Sequence, residues 1–312
     1  MSTLALKGVY WVTVRQHRRT LWLAGALVLL ALLVIGALRI WDARTPDMYT
    51  DGDHRLFGVY GSGLDLLRGA MQSMSTGMIA LPLLVGLFVA GPLIAREFES
   101  GTYRLSLTQS VSPAAWFRGK LLTATALALG TALLLTAVYL IGWPRVSGSW
   151  KTNWWNPGPY LVTGTTLTAY LLLAIAIGAL AGLLIRRTLL AMAATGGVTG
   201  LIMGVFYAFR WDILALETAT AAPGEPLDPS GTGMYVHQGL ISASGERLPG
   251  WFCFDNTPDV PCRTDEKVVA QFLDYHPRSH FWPTQLIETT ILLTLTALAL
   301  LAAFRVLRAR HA

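Results

Sequence analysis

Residues 77–95 read GMIALPLLVGLFVAGPLIA, a run of nineteen positions without a charged side chain. An α-helix rises about 1.5 Å per residue, so a run of this length crosses most of the roughly 30 Å of hydrocarbon in a bilayer. Residues 96–104 follow directly as REFESGTYR, with two acids and two arginines in nine positions. A long apolar run that ends in dense charge is typical of a membrane-spanning helix at the membrane surface.

The rest of the chain has a similar composition. Of its 312 residues, 53% are hydrophobic and 13% are charged, whereas soluble domains are about 25% charged. The apolar residues fall in blocks long enough to cross a bilayer, and a helix satisfies its own backbone hydrogen bonds in lipid. We therefore predict one all-α polytopic membrane domain over residues 1–312. Its six transmembrane helices are expected at about 21–40, 74–95, 121–143, 160–185, 188–209 and 283–304.

The distribution of Lys and Arg predicts the orientation of these helices. The N-terminus, the segment 96–120, the hairpin at 186–187 and the tail together carry thirteen Lys and Arg and only two acids, Glu97 and Glu99. Lys and Arg are enriched in cytoplasmic loops. We therefore expect cytoplasmic N- and C-termini, an even number of spans, and a large extracellular loop over residues 210–282.

Both cysteines of the chain lie in that loop. Cys253 and Cys262 have eight residues between them, and in an oxidising exterior such a pair is expected to form a disulfide. A zinc site that includes His237, His276 or His280 remains an alternative, because the three histidines share the loop.

Glycines recur at intervals of four in two of the predicted spans. The fifth span contains Gly196, Gly200 and Gly204, and the fourth contains Gly178 and Gly182. Small residues at this spacing let two helix backbones approach closely. We expect these positions to pack helix against helix, either within one protomer or between two.

Polar groups that would support chemistry are scarce within the spans. No histidine lies inside a predicted span, and the middle of each span lacks acids. Glu288 lies near the start of the last span and is expected to extend towards interfacial water, with a substrate contact or an arginine partner as alternatives. Gly119-Lys120 lacks the other residues of a nucleotide-binding loop. We therefore expect no catalytic, metal or cofactor site in this chain, and no enzyme activity of its own.

Three short segments predict local structure outside the spans. Ser112-Pro113 is a good cap and first-turn pair, so the third span is expected to begin there. Residues 64–74, LDLLRGAMQSM, predict a short surface helix, and Ser244-Gly245 predicts the turn of a hairpin in the large loop.

Residues 95–120 read AREFESGTYRLSLTQSVSPAAWFRGK, a span that ends in E-x-E-x-G-T and is followed by a basic residue entering the next span. This pattern resembles the ABC-2 type permeases, the membrane subunits of the exporter class that includes the human G-subfamily and bacterial polysaccharide exporters. The phrases RQHRRTLW and TQSVSPAAW resemble the actinobacterial branch of stand-alone permeases. The predicted topology, with its largest outer loop between spans five and six, is also similar.

The resemblance implies a half-transporter in a bacterial plasma membrane. Two permease protomers, identical or different, would pair among membrane lipids, and each would dock on a separate ATP-binding cassette subunit that holds ATP and Mg. No nucleic-acid partner is expected. In such permeases the segment between spans two and three is the coupling helix. By this resemblance, the contact with the ATPase would contain Glu97, Glu99, Gly101, Thr102 and Arg104.

Two functions are compatible with these features. The first is efflux of a hydrophobic or amphipathic substrate, since the spans offer an almost uncharged path. The second is a membrane sensor or scaffold that does not transport, and that communicates with a cytoplasmic ATPase or another partner. Vectorial transport by the reconstituted pair would distinguish them.

Overall fold

The computed structural model describes residues 18–44, 63–102, 112–149, 151–223, 225, 227, 233–249 and 267–309. The described residues divide into two compact units. The first unit contains the described residues up to Ala208 and those from Gln285 onward, and the second unit is Phe209–Thr284.

Seven α-helices are described. They are α1 (Arg18–Arg44), α2 (Gly63–Glu99), α3 (Pro113–Val146), α4 (Pro157–Thr163), α5 (Thr166–Ile185), α6 (Thr188–Phe209) and α7 (Phe281–Ala309). All but α4 belong to segments long and apolar enough to cross a membrane. The prediction of a polytopic membrane protein with six spanning helices is therefore confirmed at the level of length and composition.

Helix α5 is the most buried of the six candidate spans. In its most apolar stretch of 18 residues, 67% lies inside the molecule, compared with 6% for the corresponding stretch of α1. Tyr170, Leu171 and Leu173 are almost completely buried. A helix that is apolar on every face can be buried on every face, and this composition explains why α5 lies in the core.

Helix α2 begins earlier than the sequence predicted. The surface helix expected at residues 64–74 is instead the first part of α2, with Leu67 and Met71 fully buried. The polar side chains there find partners on their own helix, since the hydroxyls of Ser75 and Thr76 both donate to the carbonyl of Gln72. The predicted start of the second span at residue 74 was wrong, because the polar residues before it do not end the helix.

Near its C-terminal end, α2 widens into one π-helical turn at Gly86–Ala90. Pro82 and Pro92 lie on either side of this turn. Proline has no backbone N–H to donate, so regular α-helical hydrogen bonding is interrupted on this stretch.

Helix α3 begins where Ser112-Pro113 predicted. The Ser112 hydroxyl accepts a hydrogen bond from the backbone N–H of Ala115 at 3.2 Å, and Pro113 occupies the first turn. The helix continues to Val146 and is therefore longer than the predicted 121–143.

The fourth predicted span, 160–185, is interrupted. Helices α4 and α5 are separated at Gly164, which has an extended conformation. The side chain of Gln285 occupies the break: its Oε1 accepts from the backbone N–H groups of Thr165 and Thr166 at 3.0 and 3.2 Å, and its Nε2 donates to the carbonyl of Tyr160. A continuous helix was the wrong prediction, because a distant side chain replaces the backbone hydrogen bonds lost at the break.

The second unit contains a four-stranded antiparallel sheet in the order β1-β4-β2-β3. Its strands are β1 (Glu217–Ala221), β2 (Met234–Ser242), β3 (Arg247–Pro249) and β4 (Val268–His276). The hairpin predicted at Ser244-Gly245 is confirmed as the β2–β3 connection. Gly245 has φ of +85°, a conformation that favours glycine in a tight turn. The all-α expectation was therefore wrong for this region.

Candidate functional site

The charged residues at the end of α2 contact neighbouring helices. Glu97 forms an ion pair with Lys120 of α3 at 2.5 Å, and its other carboxylate oxygen accepts a hydrogen bond from the Trp116 indole at 3.1 Å. Both charged side chains are largely buried, with exposed fractions of 10% for Lys120 and 19% for Glu97. The pair therefore joins the end of α2 to the beginning of α3.

Aromatic rings surround this ion pair. Phe98 and Trp116 meet edge to face with ring centroids 6.5 Å apart, and the Lys120 ammonium lies 5.5 Å from the Trp116 ring. The Arg186 guanidinium lies 5.7 Å from the Phe98 ring. Cation–π contacts of this kind stabilise by about 0.5–2 kcal/mol. Because Arg186 lies in the α5–α6 connection, its contact with Phe98 links that connection to the same cluster.

Glu99 contacts a different helix. Its Oε2 accepts a hydrogen bond from the backbone N–H of Thr188 at 2.8 Å, and Thr188 is the first residue of α6. The first backbone N–H groups of a helix lack partners within that helix, and negative charge is favourable there. Glu99 thus caps α6 from α2.

The other predicted coupling residues lie just beyond α2. Gly101 has φ of +72°, and the hydroxyls of Ser100 and Thr102 are 2.9 Å apart. Arg104 lies outside the described residues. The structure therefore places Glu97 and Glu99 on separate neighbours, with Gly101 and Thr102 in the turn that follows.

The glycines at four-residue spacing lie mainly against α2. A Cβ added at Gly178 would overlap Ala90, one at Gly182 would lie 2.9 Å from the backbone nitrogen of Ala95, and one at Gly196 would overlap Leu87. At Gly200 the neighbouring atom, in Leu83, would be 3.3 Å away. Gly178, Gly182 and Gly196 therefore allow α5 and α6 to approach α2 closely.

Gly204 differs from the other four. No atom lies within 4 Å of a Cβ added there, so its face of α6 is open among the described residues.

Cys253 and Cys262 lie outside the described residues, so their disulfide stays a prediction. Among the residues that are described, no three His, Cys, Asp or Glu side chains come together as metal ligands. His276 and His280 do contact each other, with their Nδ1 atoms 3.1 Å apart. His237 lies on β2 and is exposed.

Glu288 is fully buried, and the expectation that it reaches interfacial water was wrong. Its carboxylate accepts hydrogen bonds from the hydroxyls of Tyr160 at 3.0 Å and Tyr170 at 2.6 Å. Together with Gln285, one turn earlier on α7, it forms a buried polar cluster with α4 and α5. Buried carboxylates need hydrogen-bond donors, and the two tyrosines supply them here.

The partners in both clusters are not evident from the sequence. Trp116 and Lys120 lie 19 and 23 residues after Glu97, and Gln285 lies more than 115 residues from the backbone it contacts. In the sequence, the tyrosines of α4 and α5 are the one indication of a buried polar cluster, because they are polar residues in otherwise apolar runs.

A family model described as "ABC-2 membrane transporter related" matches residues 23–210. The chain belongs to this family. The match includes the end of α2, the beginning of α3 and the glycines of α5 and α6. The match identifies the chain as a permease-type membrane component, in keeping with its six candidate spans. No curated protein and no solved structure matches the chain.

Within this ABC-2 chain, the matched region contains both acids of the α2 end and all their contacts described above. The buried Gln285 and Glu288 lie beyond it, on α7. The α2–α3 cluster is therefore the better candidate for a function that belongs to the ABC-2 family.

Proposed function

We propose that the chain is the membrane-spanning permease subunit of an ATP-driven exporter. The observation that carries this proposal is the ABC-2 family match over residues 23–210, which includes the charged end of α2. The ATPase, with its ATP and Mg, is a separate subunit, and this chain contributes no nucleotide site and no catalysis. The subunit works in a bacterial plasma membrane with a second permease protomer.

The proposed contact with the ATPase lies at the segment between α2 and α3. Glu97 and Glu99 are already bound within the chain, so their role there is to hold α2 to α3 and to α6. The turn at Gly101 and Thr102, with Arg104 after it, provides the surface that the ATPase contacts. Movement imposed on this segment would then reach two further spans through the two carboxylates.

The proposed substrate is hydrophobic or amphipathic. The candidate spans are apolar over most of their length, and the buried carboxylate of Glu288 is bound by two tyrosines. A path among such side chains favours molecules with a large apolar surface. The open face of α6 at Gly204 supports the contact with the second protomer.

Reconstitution tests this function. The full chain is incorporated into liposomes with the ATP-binding subunit that co-purifies with it, and fluorescently labelled phospholipid is followed across the bilayer during ATP hydrolysis. We expect ATP-dependent movement of the probe. Hydrolysis without movement of this probe or of other amphipathic probes would favour the sensor or scaffold function instead.

A double substitution tests the coupling role of Glu97 and Glu99. Replacing both Glu97 and Glu99 by Ala should lower the amount of probe moved per ATP hydrolysed, because the α2 end is no longer held to α3 and α6. Membrane insertion should be unchanged, and the assay is run at a temperature where the variant is folded. Undiminished transport would exclude the proposed coupling role of the two acids.

A further inference from the structure

A shallow cleft of ≈ 370 Å³ lies between the end of α2 and the beginning of α6. The two helices approach closely beside it, since a Cβ added at Gly91 would lie 2.8 Å from the Cα of Met192. The cleft is lined by Pro92, Arg96, Glu99, Ser100 and Thr188.

The lining carries one cation and one anion that do not neutralise each other. Arg96 and Glu99 are both exposed and lie three residues apart on α2, yet they form no ion pair among the described residues. Glu99 accepts a hydrogen bond from the backbone N–H of Thr188 and also interacts electrostatically with Arg187. The cleft therefore offers two separate opposite charges to a ligand.

Two apolar side chains of α2, N-terminal to the cleft, are exposed. Leu84 and Phe88 have exposed fractions of 47% and 64%. On α6, Leu189 follows Thr188 and is 78% exposed. Exposed apolar side chains on a membrane span contact acyl chains, and charged side chains at its end lie among headgroups.

We propose that this cleft binds one phospholipid with a phosphoethanolamine headgroup. Arg96 binds the phosphate, Glu99 binds the ammonium, and an acyl chain lies along Leu84 and Phe88. A guanidinium offers paired N–H donors to a phosphate, and an ammonium donates charge-assisted hydrogen bonds to a carboxylate. This site shares Glu99 with the proposed coupling segment, but binding of the lipid is measured without the ATPase and does not depend on transport.

The two charges discriminate between headgroups. Phosphatidylglycerol has a phosphate but no cation for Glu99, so the carboxylate would remain beside a negative charge. Phosphatidylcholine has a cation, but its quaternary nitrogen has no N–H to donate. The cleft should therefore prefer phosphatidylethanolamine to both.

Lipid binding to the purified full chain tests the site. The chain is delipidated in dodecyl maltoside, and dioleoyl forms of the three phospholipids are added separately. Native mass spectrometry and thermal unfolding are recorded for each. We expect one retained phosphatidylethanolamine per chain, a rise in Tm of several degrees, and about tenfold weaker binding of the other two lipids. Equal binding of all three would overturn the proposal.

Two substitutions test the assigned residues separately. Arg96→Gln should weaken the binding of phosphatidylethanolamine and phosphatidylglycerol alike, by about tenfold, since one ion pair to phosphate is lost. Glu99→Gln keeps an oxygen that accepts from Thr188 but loses the charge, so it should remove the preference for phosphatidylethanolamine. Arg305→Gln, at an exposed arginine near the end of α7, is the matched control and should change neither. Phosphatidylethanolamine binding that survives Arg96→Gln unchanged would overturn the assignment.

Discussion

Glu97 and Glu99, the two acids at the end of α2, have different roles. Glu97 and Lys120 form a largely buried ion pair, whereas Glu99 is exposed and caps α6. Removing one partner of a buried pair leaves the other charge without compensation. The structure therefore predicts a much larger effect on stability at Lys120 than at a neighbouring exposed arginine.

We expect Lys120→Met to lower the free energy of unfolding by about 2 kcal/mol, the usual cost of leaving a hydrogen-bonded charge without its partner. Thermal unfolding of the detergent-solubilised chain measures it. Adding Glu97→Gln to this variant should recover part of the loss, because the unpaired carboxylate is then removed. Arg118→Met, at an exposed position on α3, is the control. Equal Tm values for Lys120→Met and Arg118→Met would contradict the buried pair.

His276 predicts a pH dependence for the second unit. Burial lowers the pKa of His276 below its ordinary value of 6.5, and neighbouring His280 lowers it further, while a backbone hydrogen bond at Trp211 and the carboxylate of Asp212 act in the opposite direction. His280 in turn lies 3.4 Å from the carboxylate of Glu217 on β1. The folded unit therefore favours a neutral imidazole at position 276.

As the pH falls below about 6.5, the unfolded chain binds a proton at His276 that the folded unit does not, so the free energy of unfolding decreases. The decrease is complete below the lowered pKa. Hydrogen exchange in β4, corrected for its intrinsic pH dependence, should show less protection at pH 5 than at pH 7.5. His276→Gln should reduce this difference, and His237→Gln, on the exposed part of β2, should retain it. The same pH dependence in the His276 variant would exclude this explanation.

At the scale of elements, the break between α4 and α5 depends on one glycine and one amide. A Cβ at Gly164 would overlap the side chain of Gln285, so Gly164→Ala should displace the amide from the backbone groups that it binds. We expect a loss of about 1–3 kcal/mol, as for buried groups left without partners. Thermal unfolding of Gly164→Ala compared with Gly130→Ala measures it, because a Cβ added at Gly130 on α3 meets no atom within 4 Å. Equal stability of the two variants would contradict the role of Gln285.

The elements also show what could be predicted from the sequence. The six candidate spans and the Ser112 cap were predictable because apolar length and capping are local properties. The π-helical turn of α2 and the break after α4 were not. The break and the Glu97 cluster depend on side chains far away in the chain, such as Gln285 and Lys120, and a single sequence does not reveal which distant polar groups meet.

At the scale of the whole molecule, charge and cysteines make one joint prediction. The segments that join at the end of α2 carry an excess of Lys and Arg, so this end is expected in the cytoplasm and the second unit outside. Both cysteines lie within the residue range of that unit. An exterior location would expose them to oxidising conditions, in which a disulfide persists.

In intact cells, a membrane-impermeant maleimide should label neither Cys253 nor Cys262 until an impermeant reductant is added, and then it should label both, as intact mass would show. Arg310→Cys, in the opposite tail, should be labelled only after the cells are opened. Labelling without reductant would exclude the disulfide and leave the orientation intact. Labelling of the native cysteines only in opened cells would show that the orientation is the reverse of the predicted one. The proposed ATPase contact would then lie on the wrong side of the membrane for a cytoplasmic partner.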